Sequence, residues 1–219
     1  MANGKFIVLE GIDGSGKSTQ VNLIKEKLQG THIPHYITYE HTDGPIGKLL
    51  TDVYLSGKRK VDERVLNILF TADRLDHLTN DENGILSYIN DGVNVISDRY
   101  ILSGLAYDTY PYINGNNYYN KLFNIFERNR VNRELLIPDI TIFIDTPPEI
   151  AVTRINENRP DKTVYENPEK LRDIYKSYNK AIEYLVDFRR ENIVKVDGNR
   201  SRDLVFQDVW RYVNDILSK

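Results

Sequence analysis

The chain has 219 residues, 40% hydrophobic and 28% charged, with a formal net charge of -3 and no cysteine. That content can bury a sizeable core, and one domain over 1–219 is expected. The charge gives no overall field to draw nucleic acid or an anionic membrane surface, and the lack of cysteine excludes a disulfide framework and thiolate metal sites. Met1 to Gly4 is too short and polar for a signal peptide, and no apolar run nears the roughly 20 residues of a membrane span, so a soluble, cytoplasmic protein is expected.

Phe6 to Leu9 is a short apolar run rich in strand formers, and Val21, Ile24 and Leu28 recur at helical spacing. Between them, residues 11–18 (Gly-Ile-Asp-Gly-Ser-Gly-Lys-Ser) fit G-x-x-x-x-G-K-[ST]. His35 to Tyr39 reads as a second strand, left by a turn from Glu40 to Pro45. Ile46 to Leu55, Val61 to Leu78 and Ile85 to Ile89 carry helix patterns, and Val93 to Ser97 is a third strand with Asp98-Arg99-Tyr100 directly after it. Tyr110 to Asn120, rich in Asn, Gly and Tyr, reads as a surface loop. Leu122 to Arg130 is a helix pattern, Ile140 to Asp145 the most β-rich run, and Pro147-Pro148 opens a helix that Pro160 stops. Residues 156–167 are polar and charged, a mobile segment by composition. Leu171 to Arg189 is a long amphipathic helix, Ile193 to Val196 a fifth strand, and Arg202 to Leu217 the closing helix.

Apolar strands alternating with helices predict an α/β fold: a P-loop NTPase-type three-layer arrangement with a five-stranded parallel sheet, helices on both faces and a short lid. Such sheets bind ligands at the carboxyl ends of their strands, where the cradle, Glu40, Asp98, Arg99 and Asp145 would gather.

The cradle residues Gly11, Ile12, Asp13, Gly14, Ser15, Gly16, Lys17, Ser18 and Thr19 suit a polyphosphate. Glycines let backbone N–H groups approach it, the following helix adds its positive end, and Lys17 adds a cation. The Ser18 hydroxyl stands where a Mg2+ bridging the phosphates would take it as a ligand. No N-K-x-D guanine reader is present. Arg159 and Lys162, flanked by Arg154 and Arg172, suit a lid closing over a transferred phosphate; the same charges also read as solvated helix ends.

Beyond the cradle, the chain carries Leu69-Phe70-Thr71-Ala72-Asp73-Arg74, Asp98-Arg99-Tyr100-Ile101-Leu102-Ser103-Gly104-Leu105-Ala106-Tyr107 and, more weakly, Pro138-Asp139-Ile140-Thr141. In this order and separation they resemble the thymidylate kinase family over nearly the whole chain. The resemblance implies transfer of the γ-phosphate of ATP to dTMP, giving dTDP on the way to dTTP, with Mg2+ and usually as a homodimer. It implies that Phe70 stacks on thymine, Arg74 donates to its C4 carbonyl and Ser103 lines the base pocket. Arg99 would hold the dTMP phosphate, Asp13 the 3′-hydroxyl, and Tyr107 would press where a 2′-hydroxyl would project. Glu40 would sit near the acceptor and Asp98 would help position the metal. Arg154 would stack on adenine, with Gly198-Asn199-Arg200 as the other wall. Taken alone, Phe70 on a helix face is by default a core residue.

The chain departs from the family's pattern in two places. Tyr39 stands where many members have an arginine near the acceptor phosphate, leaving Arg99 alone or helped by His41 or Lys48. Gly14 and Ser15 stand where some members have a cradle arginine, which assigns the compensating cation to Arg159 or Lys162. A kinase for another deoxynucleoside monophosphate or a deoxynucleoside, and a catalytically inactive nucleotide-binding regulator, are the alternatives.

Overall fold

Strand β1 (Phe6–Glu10) is buried at all five positions and lies at the centre of the sheet. In this computed structural model, which describes residues 3–129, 136–158 and 167–218, β1 is flanked by β3 (Asn94–Asp98) and β4 (Ile140–Asp145). Outside them lie β2 (His35–Tyr39) and β5 (Ile193–Asp197), giving the order β2-β3-β1-β4-β5. Every pairing is parallel, with Leu9 opposite both Asp98 and Ile142. The expected five-stranded parallel sheet is present.

Alternation along β1 divides the core. Ile7 and Leu9 point into a cluster with Ile24, Leu28, Val209 and Val213, contributed by α1 (Lys17–Gln29) and α9 (Arg202–Leu217). Phe6 and Val8 face the larger cluster, which includes residues of α4 (Ile85–Asn90), α5 (Ile101–Thr109), α6 (Tyr118–Asn129) and α8 (Pro168–Arg189). Glu10 has the same parity as Phe6 and Val8, so its carboxylate is carried into that larger core. The remaining helices are α2 (Pro45–Leu49), α3 (Glu63–Thr79) and α7 (Pro148–Asn158). The Asp62 carboxylate caps α3 by accepting from the Arg64 N–H at 2.8 Å, and the Asn167 side chain caps α8.

Some expectations are corrected. The pattern over Ile46 to Leu55 is not one α-helix: it begins at Pro45, and Leu50–Leu55 follows with a wider π-type turn. Residues 101–109, read as a motif with no secondary structure assigned, form α5. Eight of its nine residues are buried, so an apolar stripe never contrasts with a polar one. Tyr110 to Asn120 is not a surface loop throughout. Tyr110, Ile113 and Tyr118 are buried, and the Tyr118 hydroxyl donates to the Ser177 carbonyl at 3.2 Å, which satisfies the polar atom that made the segment look solvent-facing. The lid candidates Arg159 and Lys162, and most of the segment 156–167, lie outside the described residues.

A core of this kind makes a contrast measurable by urea denaturation. Leu9→Ala, at a side chain with no exposed surface, should lower unfolding free energy by about 2–5 kcal/mol. Phe188→Ala, at a side chain 74% exposed, should stay within about 0.5 kcal/mol of the unmodified protein.

Candidate active site

The cradle follows directly from β1 and turns into α1. Gly14 has φ +78°, and a Cβ there would stand 2.4 Å from the Ala151 carbonyl oxygen, so this turn requires glycine on two counts. Lys17, in the first turn of α1, is buried and donates from Nζ to the Ile12 carbonyl at 2.9 Å. Burial, with the nearby Arg99 cation adding to it, brings its pKa down to about 8. Ser18 donates from Oγ to Asp98 Oδ2 at 2.6 Å, while the buried Asp98 Oδ1 has no hydrogen-bond partner. A hydroxyl and a carboxylate with an open oxygen suit a hard cation that keeps several waters, as Mg2+ does. No group of three or more acidic, His or Cys side chains that could hold a metal by themselves occurs among the described residues.

Arg99, just beyond the end of β3, takes a left-handed backbone, φ +78°. For a residue with a Cβ this costs about 1–3 kcal/mol and persists only where the surroundings enforce it. Its N–H donates to the Leu9 carbonyl at 2.9 Å, and its guanidinium donates to Asp13 Oδ1 (2.5 Å), Ser103 Oγ (2.9 Å) and Tyr178 Oη (3.1 Å). The Tyr107 hydroxyl donates to the other Asp13 oxygen at 2.8 Å. Asp13 therefore ties the cradle to Arg99 and to α5.

Beneath this network lies Glu10, a residue the motifs did not single out. Fully buried, it accepts from the backbone N–H groups of Tyr100 (2.8 Å) and Ser103 (3.0 Å) and from the Ser103 hydroxyl (2.6 Å). Burial pushes its carboxyl upward, while Arg99, Ser103 and the two N–H groups pull it back. The signal available in the sequence was an acid in phase with Phe6 and Val8, since acids are almost never fully buried unless paired.

Two cavities open at this edge. One, of about 790 Å³, is lined by the cradle, Ser18, Asp98 and Arg154. The other, of about 250 Å³, is lined by Phe70, Arg74, Ser103, Gly104, Tyr107 and Asp108 among others. Asp13, Glu40 and Arg99 line both. Phe70 is half-buried and meets His41 edge-on, ring centroids 5.6 Å apart. Arg74 is buried, donates from Nε to Glu40 Oε2 at 2.7 Å, and lies against Gly104, where a Cβ would be 2.7 Å from Nη1.

Other candidates fall further out. Arg154 donates to the carbonyls of Ser15 (3.4 Å) and Gly198 (2.9 Å), spanning cradle and turn. Arg200 is held by Asp208 and Asp197 and does not line the larger cavity. Tyr39 is 48% exposed, with its hydroxyl donated to Asp43. His41 lines the smaller cavity and bonds Thr51 at 2.7 Å, whereas Lys48 is exposed and lines neither.

A parallel α/β sheet with a phosphate cradle at its carboxyl edge, joined to a second cavity, defines a nucleotide-binding protein of the P-loop class. The family model described as thymidylate kinase matches residues 9–209. The thymidylate kinase of Carboxydothermus hydrogenoformans is 32% identical over 214 residues, covering 97% of this chain and 98% of that protein. The probable thymidylate kinase of Pyrobaculum aerophilum is 33% identical over 212 residues, covering 97% of each. A solved thymidylate kinase from Candida albicans superposes with a TM-score of 0.76 over 98% of this chain and 93% of its own, at 24% identity, a likeness of fold alone. The chain belongs to the thymidylate kinase family.

The buried Lys17 gives the free protein a pH signature. Its folded pKa of about 8 lies below the ordinary 10.5, so between those values the unfolded chain holds more protons and stability from this residue rises with pH. Lys17→Met carries no such dependence. Unfolding free energies measured across that range should show the unmodified protein gaining on the variant; parallel curves would mean Lys17 is not desolvated.

Proposed function

We propose that the protein transfers the γ-phosphate of ATP to dTMP, forming dTDP and ADP. The observation that carries this reading is the meeting of the cradle cleft and the smaller cavity at Asp13, Glu40 and Arg99. Two phosphate-bearing ligands, one in each, would point their phosphates at the same few residues.

In this reading the ATP phosphates lie on the N–H groups of residues 13–19, and Lys17 leaves the Ile12 carbonyl for their oxygens. Mg2+, held through Ser18 and Asp98, would draw charge from the phosphates when bound. Arg99, already oriented by Asp13, Ser103 and Tyr178, meets the acceptor phosphate. An oxygen of that phosphate attacks the γ-phosphorus, and the bond to the β–γ bridging oxygen breaks, leaving ADP. Phe70 stacks on the base, Arg74 donates to the C4 carbonyl, and Asp13 and Tyr107 bracket the sugar. Arg154 and the turn at Gly198 to Arg200 flank adenine, and Arg159 or Lys162 supplies the lid cation. The same reading extends to a cytoplasmic homodimer; no helix among the described residues is long and apolar enough to cross a membrane.

The acceptor test is ADP release with dTMP, dUMP, dCMP and no acceptor. Thymine and uracil both offer a C4 carbonyl, whereas cytosine offers an amino group to a guanidinium that can only donate. A mismatched polar contact can cost about 10^4-fold and a methyl group only roughly 10- to 200-fold. The expected order is dTMP, dUMP within a modest factor, then dCMP far behind. Arg74→Gln should narrow the gap to dCMP mainly by lowering turnover of dTMP. Comparable efficiency on dCMP and dTMP in the unmodified protein would sink the base assignment.

A separate measurement concerns the cradle. Lys17→Ala should lower kcat with dTMP by at least about 10^2-fold, because its charge acts on the phosphoryl group in flight. Near-normal turnover in a folded variant would rule out the cradle as the donor site.

A further inference from the structure

Two hydroxyls stand between Glu10 and Arg99. The Ser103 hydroxyl donates to Glu10 Oε2 at 2.6 Å and accepts from Arg99 Nη1 at 2.9 Å. The Tyr178 hydroxyl, on α8, accepts from the same Nη1 at 3.1 Å and lies 3.2 Å from Glu10 Oε2 and 2.8 Å from Ser103 Oγ. A hydroxyl has one proton to give. Whichever of those two oxygens takes the Tyr178 proton, both hydroxyls keep a lone pair facing Arg99. Glu10 imposes that direction because an ionised carboxylate can only accept. Its Oε1 is taken by the N–H groups of Tyr100 and Ser103, so four donors converge on the two oxygens and a carboxyl proton would face a donor on either one. Arg99 is held on its far side by Asp13, yet its side chain is 17% exposed and lines both cavities, so it reaches an anion from this fixed position.

We propose that Glu10 is a positioning residue for the acceptor phosphate: by fixing the direction of the Ser103 and Tyr178 hydroxyls, it holds the Arg99 guanidinium in the orientation that meets that phosphate. This rests on the reading that Arg99 receives the phosphate of a nucleoside monophosphate. Glu10 itself is fully buried and lines neither cavity, so it acts only through its neighbours. From guanidinium to hydroxyl to carboxylate every proton points the same way, an arrangement in which each hydrogen bond polarises the next.

The alternative is that Glu10 only braces the start of α5, and the two roles separate in Glu10→Gln. Its amide oxygen can still accept from the Tyr100 and Ser103 N–H groups, so α5 keeps its start. Its NH2 group donates to the two hydroxyls and turns their protons toward Arg99, where donor meets donor. Calorimetry of dTMP and of thymidine, each without ATP, separates the phosphate's share of binding from the rest. In Glu10→Gln the advantage of dTMP over thymidine should shrink by at least about 10-fold, with thymidine affinity within about 2-fold of the unmodified protein. Tyr178→Phe, which keeps the carboxylate and the ring, should shrink the same advantage by about 3-fold or more. Equal weakening of both ligands in Glu10→Gln would make Glu10 a brace and overturn the proposal. A larger advantage would overturn it too, since that is the sign expected if only the lost negative charge mattered. An unchanged advantage in Tyr178→Phe overturns it even where Glu10→Gln does not fold. No preference for dTMP over thymidine in the unmodified protein overturns it together with the reading on which it rests.

Discussion

Burial of Glu10 beneath the half-buried Arg99, where β1 and β3 end side by side, is the constraint on which the site depends. An unpaired carboxylate in that core would cost several kcal/mol. Glu10 avoids this cost only because α5 begins where its first N–H groups reach the carboxylate and because α8 brings the Tyr178 hydroxyl within 3.2 Å. The left-handed backbone of Arg99 follows from the same geometry: the chain must leave β3, give its N–H to Leu9 and still start a helix over Glu10. Contacts that hold sheet to helix are thus the contacts that aim the guanidinium.

The charges explain why such a site attracts phosphate. Burial depresses the Lys17 pKa and the nearby Arg99 cation adds to this, while Asp98, Asp13 and Glu10 pull it upward. Most of the anionic capacity is already committed, Asp13 to Arg99 and Tyr107, Glu10 to the start of α5. A polyphosphate brings negative charge to Lys17 without disturbing those pairs. Such binding would favour the charged form of Lys17 that burial disfavours, and a contact in a low-dielectric site is worth more than at a surface.

Much of the fold was legible because its three central strands are buried on both faces and read as short apolar runs between helix patterns. The cradle was legible for a different reason: its glycines answer to backbone geometry, which neighbouring packing cannot replace. Helix α5 was not assigned, since it is covered almost all round and gives no stripe. Tyr110 to Asn120 was misread in part because polar composition stood in for exposure, whereas the Tyr118 hydroxyl is satisfied inside the core. Asp108 was invisible, and the phase of Glu10 with Phe6 and Val8 was a signal easily passed over, for a shared reason. An acid at a strand end or near a helix end is commonly solvated, and the tertiary arrangement shows that these two are closed off from water.

In the function proposed, the stretch from Arg99 into α5 carries both halves of acceptor recognition. The approach to α5 places Arg99 beside the phosphate cradle, and the helix itself places Ser103, Tyr107 and Asp108 along the smaller cavity. Because Glu10 fixes the start of that helix, a change that displaces it shifts the phosphate and base contacts in concert and slows every acceptor alike. In the same reading, a change at Arg74 alters the pattern of donors and acceptors met by the base. Positioning and discrimination therefore leave different kinetic signatures although they share one element: the first acts on all acceptors in proportion, the second on the ratio between them. In the function proposed, the fold keeps the two apart by joining phosphate to the sheet through Glu10 and Arg99 and leaving the base to side chains that carry no part of the strand-to-helix connection.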